Sequence, residues 1–138
     1  MARHHYTILV IDDVDVVRSM ANRILTREGH RVLEAADAAE ALSLLAVSQG
    51  KVDLVLLDVV LPEKDGVALY ADICARSPDV AVVFMSAYAA EILAARGQQN
   101  LTVPFLAKPF TPKELVAKVN ATIQHRRDPG RRPRTSAP

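Results

Sequence analysis

Short, unbroken apolar runs recur along this chain with stretches of helical periodicity between them, and no other feature restricts its fold as strongly. Ile8-Leu9-Val10-Ile11, Val52 to Leu57 and Val80 to Met85 are continuous rather than alternating, as in strands covered on both faces. Between the first run and Gly29, the residues Val17, Met20, Ala21, Ile24 and Leu25 return at helical spacing, so a helix precedes the next strand. Strands separated by helices imply parallel pairing, because a parallel neighbour needs a crossover connection.

The same pattern extends along the chain. A short second strand is expected at Arg31 to Glu34, then a helix that Asp37 caps while Glu40 reaches back, with Gly50 ending it. Pro62 and Gly66 make a loop, and a helix carrying Leu69 and Ile73 runs toward Pro78. Ala87 to Arg96 reads as an Ala-rich fourth helix, broken by Gly97-Gln98-Gln99-Asn100. Leu101 to Ala107 reads as the fifth strand, with Pro104 suited to a strand start or an edge. Thr111-Pro112-Lys113-Glu114 is a capping box, Phe110 can staple onto Leu115, and Leu115, Val116, Val119 and Ile123 form the last helix's buried stripe. Five such units predict an α/β, flavodoxin-like (βα)5 three-layer sandwich with a five-stranded parallel sheet, order 2-1-3-4-5.

Composition agrees with one small domain. The chain has 138 residues, 50% apolar and 24% charged. No apolar run reaches the roughly 18 residues that span a bilayer, and residues 1–6 lack the apolar core of a secretory signal. A cytoplasmic protein that does not engage membranes is expected. The single cysteine, Cys74, cannot form an internal disulfide and reads as a small buried hydrophobe. A formal charge of +1 gives no reason to expect nucleic-acid binding. That charge is uneven: His125 to Pro138 holds five Arg, one Asp and three Pro, leaving 12 basic and 15 acidic residues elsewhere. Residues 125–138 are expected to be a disordered basic tail following a folded domain over 1–124.

In an open parallel sheet, ligands bind outside the carboxyl ends of the strands, so the residues that end each apolar run are the informative ones. Strand one ends in Asp12-Asp13, strand three in Asp58, strand four in Ser86 and strand five in Lys108. All five should meet at one edge. Singly, each has an ordinary explanation: Asp13 could cap the first helix, Ser86 the fourth, and Lys108 could be a solvated cation. Together, three carboxylates would raise one another's pKa values unless a cation held them ionised. Oxygen ligands without His or Cys suit Mg²⁺ rather than zinc. His4, His5, His30 and His125 follow none of these strands and are expected at the surface. A carboxylate beside Mg²⁺, with a hydroxyl and an ammonium nearby, suits nucleophilic attack on a phosphoryl group. The five glycines supply no nucleotide-phosphate signature, and no His is placed as the base of a Ser triad.

The stretches ILVIDD, LVLLDVVLPEKDG, VVFMSAY and FLAKPF, in this order and spacing, resemble the receiver domain of bacterial two-component response regulators across residues 6–124. By that resemblance Asp58 is the phosphoacceptor, and Asp13, Asp58 and the main-chain carbonyl of Val60 hold Mg²⁺, with Asp12 acting mainly through a metal-bound water. It also implies that Ser86 and Lys108 bind the phosphoryl oxygens, Ala87 leaves room for the incoming group, and Val60 and Tyr88 tune hydrolysis. Phe105 would be an aromatic switch, although one aromatic in a strand is as simply core. Lys108-Pro109 would be a cis peptide. The implied partners are a sensor histidine kinase or histidine phosphotransfer protein as donor, and a downstream protein target. The implied function is a phosphorylation switch or phosphorelay element that catalyses only its own phosphorylation and dephosphorylation. FMSAY and FLAKPFTPKEL look like receivers at the ends of hybrid sensor kinases, whereas Met1 and a complete first strand suit a stand-alone protein. Ala89 to Val103 lacks the Gly-Ala-Asp turn common before strand five, which bears on helix four and the output face.

One rival belongs to another class. Asp13-Val14-Asp15-Val16-Val17 also satisfies the D-x-D-x-[TV] pattern of haloacid dehalogenase-like phosphatases, whose nucleophile would be Asp13, with Ser86 and Lys108 as later motifs. Those enzymes need a further acidic motif after the lysine, and only Glu114 and Asp128 follow it here. Asp58 would then have no role.

Overall fold

The structure, a computed structural model, describes residues 5–87 and 103–127. Its elements are β1 (Thr7–Ile11), α1 (Asp15–Arg27), β2 (Arg31–Ala35), α2 (Ala38–Ser48), β3 (Leu54–Asp58), α3 (Gly66–Arg76), β4 (Ala81–Ser86), β5 (Phe105–Ala107) and α4 (Pro112–Arg127). All strand pairs are parallel, in the order β2-β1-β3-β4-β5, as the alternating pattern predicts. Successive strand residues face opposite ways, so each apolar run feeds two cores. Leu9, Ile11, Val55, Leu57 and Phe84 pack with Ala41 and Leu45 of α2 and Leu69 and Ile73 of α3. Ile8, Val10, Leu56, Val83 and Met85 pack with Ile24 and Leu25 of α1 and Leu115, Val119 and Ile123 of α4. Truncating a fully buried leucine such as Leu56 to Ala would cost about 2–5 kcal/mol.

The helix boundaries follow from capping chemistry. Gly29, at φ 97°, ends α1: its N–H reaches the Thr26 carbonyl at 2.9 Å and that of His30 reaches Leu25 at 3.2 Å, a Schellman pair. Asp37 caps α2 by accepting from Glu40 N at 2.8 Å, but Glu40 Oε1 reaches back to Ala36 N rather than to the cap itself. Gln49 (φ 51°) takes the left-handed position ahead of Gly50. At α4 the box is reciprocal: Glu114 N donates to Thr111 Oγ1 at 3.1 Å, and Thr111 N to Glu114 Oε1 at 2.8 Å. Gly66 begins α3 instead of lying in a loop, with Asp65 as the cap.

Several expectations are corrected. Met20 is exposed on α1, because Ala21, Ile24 and Leu25 already fill the inward face. His30 is buried, not superficial: its Nδ1 accepts from Tyr6 N at 3.2 Å and its ring lies 5.6 Å from that of Tyr6. Among the described residues the fifth strand is three residues long, since Val103 and Pro104 precede it without strand geometry, although the Pro104 carbonyl accepts from Phe84 N at 2.9 Å. Cys74 is half-buried and hydrogen-bonded with Tyr70, and burial pushes its thiol up, away from thiolate chemistry. The fourth helix expected at Ala87 to Arg96 falls, beyond Ala87, outside the described residues, as do Tyr88, His4 and residues 128–138. Helix α4 itself continues to Arg127. No helix among the described residues is long and apolar enough to cross a membrane.

Candidate functional site

The strand ladder carries the polar residues to one edge. Beyond the strand ends the parallel pairing continues through Asp12 N to Ala35 O (3.1 Å), Val59 N to Met85 O (3.0 Å) and Lys108 N to Ser86 O (2.9 Å). The residues following β1, β3 and β5 are therefore held by backbone bonds, and the five expected side chains do sit at one end of the sheet. Asp13, Asp58, Val60, Leu61, Pro62, Ser86, Ala87 and Lys108 line one cavity of about 270 Å³. The sequence alone does not mark Leu61 or Pro62 as site residues. The loop position of Pro62, just after an acidic strand end, was the available signal.

Asp12 is fully buried. Its Oδ1 accepts from Val14 N at 2.8 Å and its Oδ2 from Lys108 Nζ at 2.7 Å. Asp58, also buried, accepts from Val60 N at 3.0 Å through Oδ1 and from Lys108 Nζ at 3.2 Å through Oδ2. Lys108 is thus no solvated cation but the ammonium between two carboxylates. Burial pulls its pKa down, yet the hydrogen bonds and charges of Asp12 and Asp58 outweigh that and leave it above the ordinary lysine value. For Asp58, burial dominates and lifts the carboxyl to about 6. The Asp12 charge adds to the rise, while the Val60 N–H and Lys108 oppose it.

Asp13 does not cap α1. The capping position is Val14, without a side-chain bond, and Asp13 is exposed with no hydrogen bond or ion pair among the described residues. Its carboxylate nevertheless approaches those of Asp12 and Asp58, one oxygen from each lying within 4.8 Å of the others. Three carboxylates against one ammonium, oxygen donors only and one carboxylate with no protein partner form a donor set that fits Mg²⁺.

The remaining residues lie close by. Ser86 ends β4, is buried and faces the cavity. Val60 is half-exposed at the mouth. Phe105 is partly buried, pairs in register with Phe84 and packs on the core shared with α2 and α3. Lys108-Pro109 is cis, as expected. Gly66 closes the site from below. A Cβ there would meet the Val59 carbonyl oxygen at 2.6 Å and that of Asp58 at 2.7 Å, so only glycine lets α3 start this close to the end of β3.

Residues 8–120 match the family model described as response regulator receiver domain. The chain is 36% identical over 118 residues to sensor kinase CckA of Brucella abortus, covering 86% of this chain and 12% of that protein. It is 34% identical over 120 residues to the transcriptional regulatory protein YbdJ of Bacillus subtilis, covering 87% of this chain and 52% of that one. The chain thus spans about half or less of the curated relatives it matches. Among solved structures, the receiver domain of the hybrid histidine kinase CckA superposes with a TM-score of 0.73 at 36% identity, over 86% of this chain and 99% of that one. A receiver domain protein from Clostridium thermocellum gives 0.77 at 25% identity, over 87% and 95%. With its strand order, acidic edge and carboxylate-bound lysine accounted for, this chain belongs to the response regulator receiver domain family.

Proposed function

We propose that this receiver takes a phosphoryl group onto Asp58 from a phosphohistidine on a sensor histidine kinase or histidine phosphotransfer protein, and signals to a downstream protein by a change of surface. One observation carries this reading: Asp58, alone among the three acids, combines burial, a place in the cavity wall and contact with Lys108. An Asp58 oxygen would attack phosphorus as the bond to the donor imidazole breaks. The Val60 N–H and Lys108 hold the carboxylate in place, and Lys108 and Ser86 face the space where phosphoryl oxygens would develop charge. Asp13, Asp58 and the Val60 carbonyl would hold Mg²⁺, with Asp12 beside them. When bound, that ion neutralises charge on the transferring group. Ala87 leaves the cavity rim small, while Val60 and Tyr88 would set how readily water reaches the acyl phosphate. Displacement of Ser86 toward the phosphoryl group would let Phe105 move, altering the surface around β5. We read the folded unit through the end of α4 at Arg127 as the part responsible, the basic residues beyond it as outside the chemistry, and the protein as cytoplasmic, with no nucleic-acid or membrane role.

The phosphatase alternative is less well supported. Asp15, the second acid of its motif, is exposed on the first turn of α1, where it pairs with Arg18 at 2.6 Å, and does not line the cavity. The experiment that separates the two locates the nucleophile. Incubation with acetyl phosphate and Mg²⁺, trapping by reduction and mass spectrometry should place the label on Asp58. It should vanish in Asp58→Asn and with EDTA. A label on Asp13 that survives Asp58→Asn, with turnover of external phosphoesters, would overturn the receiver mechanism.

A further inference from the structure

Among the described residues, the most connected cation outside the cavity is Arg18 on α1. All three of its guanidinium nitrogens are engaged: Nη1 donates to the Asp12 carbonyl at 2.7 Å, Nε to Glu34 Oε1 at 3.0 Å and Nη2 to Asp15 Oδ1 at 2.6 Å. Glu34, on β2, is held in turn by Asn22 Nδ2 at 2.6 Å through its other oxygen. The Arg18 side chain is only 15% exposed, so its bonds to the Asp12 carbonyl and Glu34 are partly shielded from water, whereas the one to Asp15 lies at the surface. The Asp12 carbonyl belongs to the peptide that joins the two acids. The N–H of Asp12 is fixed by Ala35 O, and the N–H of Val14 by the Asp12 carboxylate. Arg18 fixes the peptide between them. Since Asp13 has no hydrogen bond of its own among the described residues, its direction depends on that peptide plane.

We infer that Arg18 is a positioning residue for divalent-cation binding: anchored on Glu34, it sets the Asp12-Asp13 peptide and thereby aims the Asp13 carboxylate at the cluster with Asp58. This rests on the proposed Mg²⁺ site. A planar guanidinium holds a carbonyl and two carboxylates from three nitrogens in a rigid fork, whereas the three donors of an ammonium share one nitrogen at the end of a flexible stem. Partners that orient metal ligands typically carry a 10- to 100-fold share of affinity.

The test is a Mg²⁺ titration of the phosphate-free protein, followed through the amide shifts of Asp13 and Asp58, with urea unfolding in EDTA measured alongside. Arg18→Met, which keeps the apolar stem, should raise the half-saturating Mg²⁺ about tenfold, and Arg18→Lys should recover part of that loss. Glu34→Gln should shift it in the same direction by less. Acyl phosphate formation should show the same displacement along the Mg²⁺ axis, with the plateau rate largely restored at high Mg²⁺. A folded Arg18→Met protein with the wild-type half-saturation, whatever its loss in urea, would reduce Arg18 to a strap between α1 and β2 and overturn the inference. If Arg18→Met does not fold, Glu34→Gln decides: unchanged affinity overturns the proposal and weakened affinity supports it. A wild-type protein showing no Mg²⁺-dependent shifts would instead overturn the metal reading beneath it.

Discussion

Replacing the proposed phosphoacceptor should make the metal-free protein more stable, and the structure sets the size of the gain. Burial raises Asp58 from 3.8 to about 6, so the folded state disfavours the ionised form. A shift of that size corresponds to on the order of 3 kcal/mol between the two ends of the titration. Asp58 faces an open cavity, where solvent screens part of this. Asn also gives up one bond, because its amide keeps the Val60 N–H but cannot accept from Lys108 in the same pose. We therefore expect Asp58→Asn to gain about 1 kcal/mol at pH 7.5 in EDTA. The sign follows from linkage. A carboxyl with a raised folded pKa contributes full stability below pH 3.8 and loses it as pH rises through about 6. The advantage of the Asp58→Asn variant should thus fade between pH 6 and pH 4, and the two proteins should also converge when saturating Mg²⁺ stabilises the wild type. Urea denaturation across that pH range, with and without Mg²⁺, measures both. An Asp58→Asn protein less stable than wild type at pH 7.5 in EDTA, or a difference indifferent to pH, would refute the claim that Asp58 is a buried charge held at a cost.

Asp13→Asn should weaken Mg²⁺ binding by tenfold or more, about the effect of removing one direct anionic ligand, with unfolding in EDTA unchanged because Asp13 is exposed and makes no hydrogen bond or ion pair among the described residues. A titration beside an unfolding curve checks both halves. Gly66→Ala should cost about 3 kcal/mol in urea unfolding, as close packing of backbone on Cβ leaves no flexible atom to yield. Beryllofluoride with Mg²⁺ should shift amide signals near Phe105 and α4, and Ser86→Ala should suppress these remote shifts while the site still fills. Persistence of the remote shifts in Ser86→Ala would break the proposed coupling.

Much of the fold was legible because buried parallel strands write themselves as continuous apolar runs, and the residue after each run has nowhere to go but the carboxyl edge. Asp58, Ser86 and Lys108 were visible for that reason. The capping box at Thr111 was equally plain, being a contact between residues three apart. What escaped were pairings across the chain. Nothing local says that Glu34 on β2 meets Arg18, or that His30 folds under Tyr6. A division of labour within the acidic pair comes only from the family resemblance: Asp12 is buried against Lys108 and Asp13 is exposed, and as residue types two adjacent aspartates look alike. Gly66 looks like a loop former in the sequence because its spacing from β3, not its own conformation, is what demands glycine.

The place of Asp58, the proposed acceptor, in the strand order has a mechanical consequence. β3 is flanked by β1 and β4, and all five of its residues are buried, whereas β5 is three residues long with one neighbouring strand. Amides of β3 should exchange with deuterium only through global unfolding, while those of β5 open at far lower free energy. A group added to Asp58 therefore meets an anvil. The strand beneath it is the part of the molecule that yields least, and strain introduced at its tip is relieved in whatever gives most cheaply, at the margin of the sheet and in the connections around it.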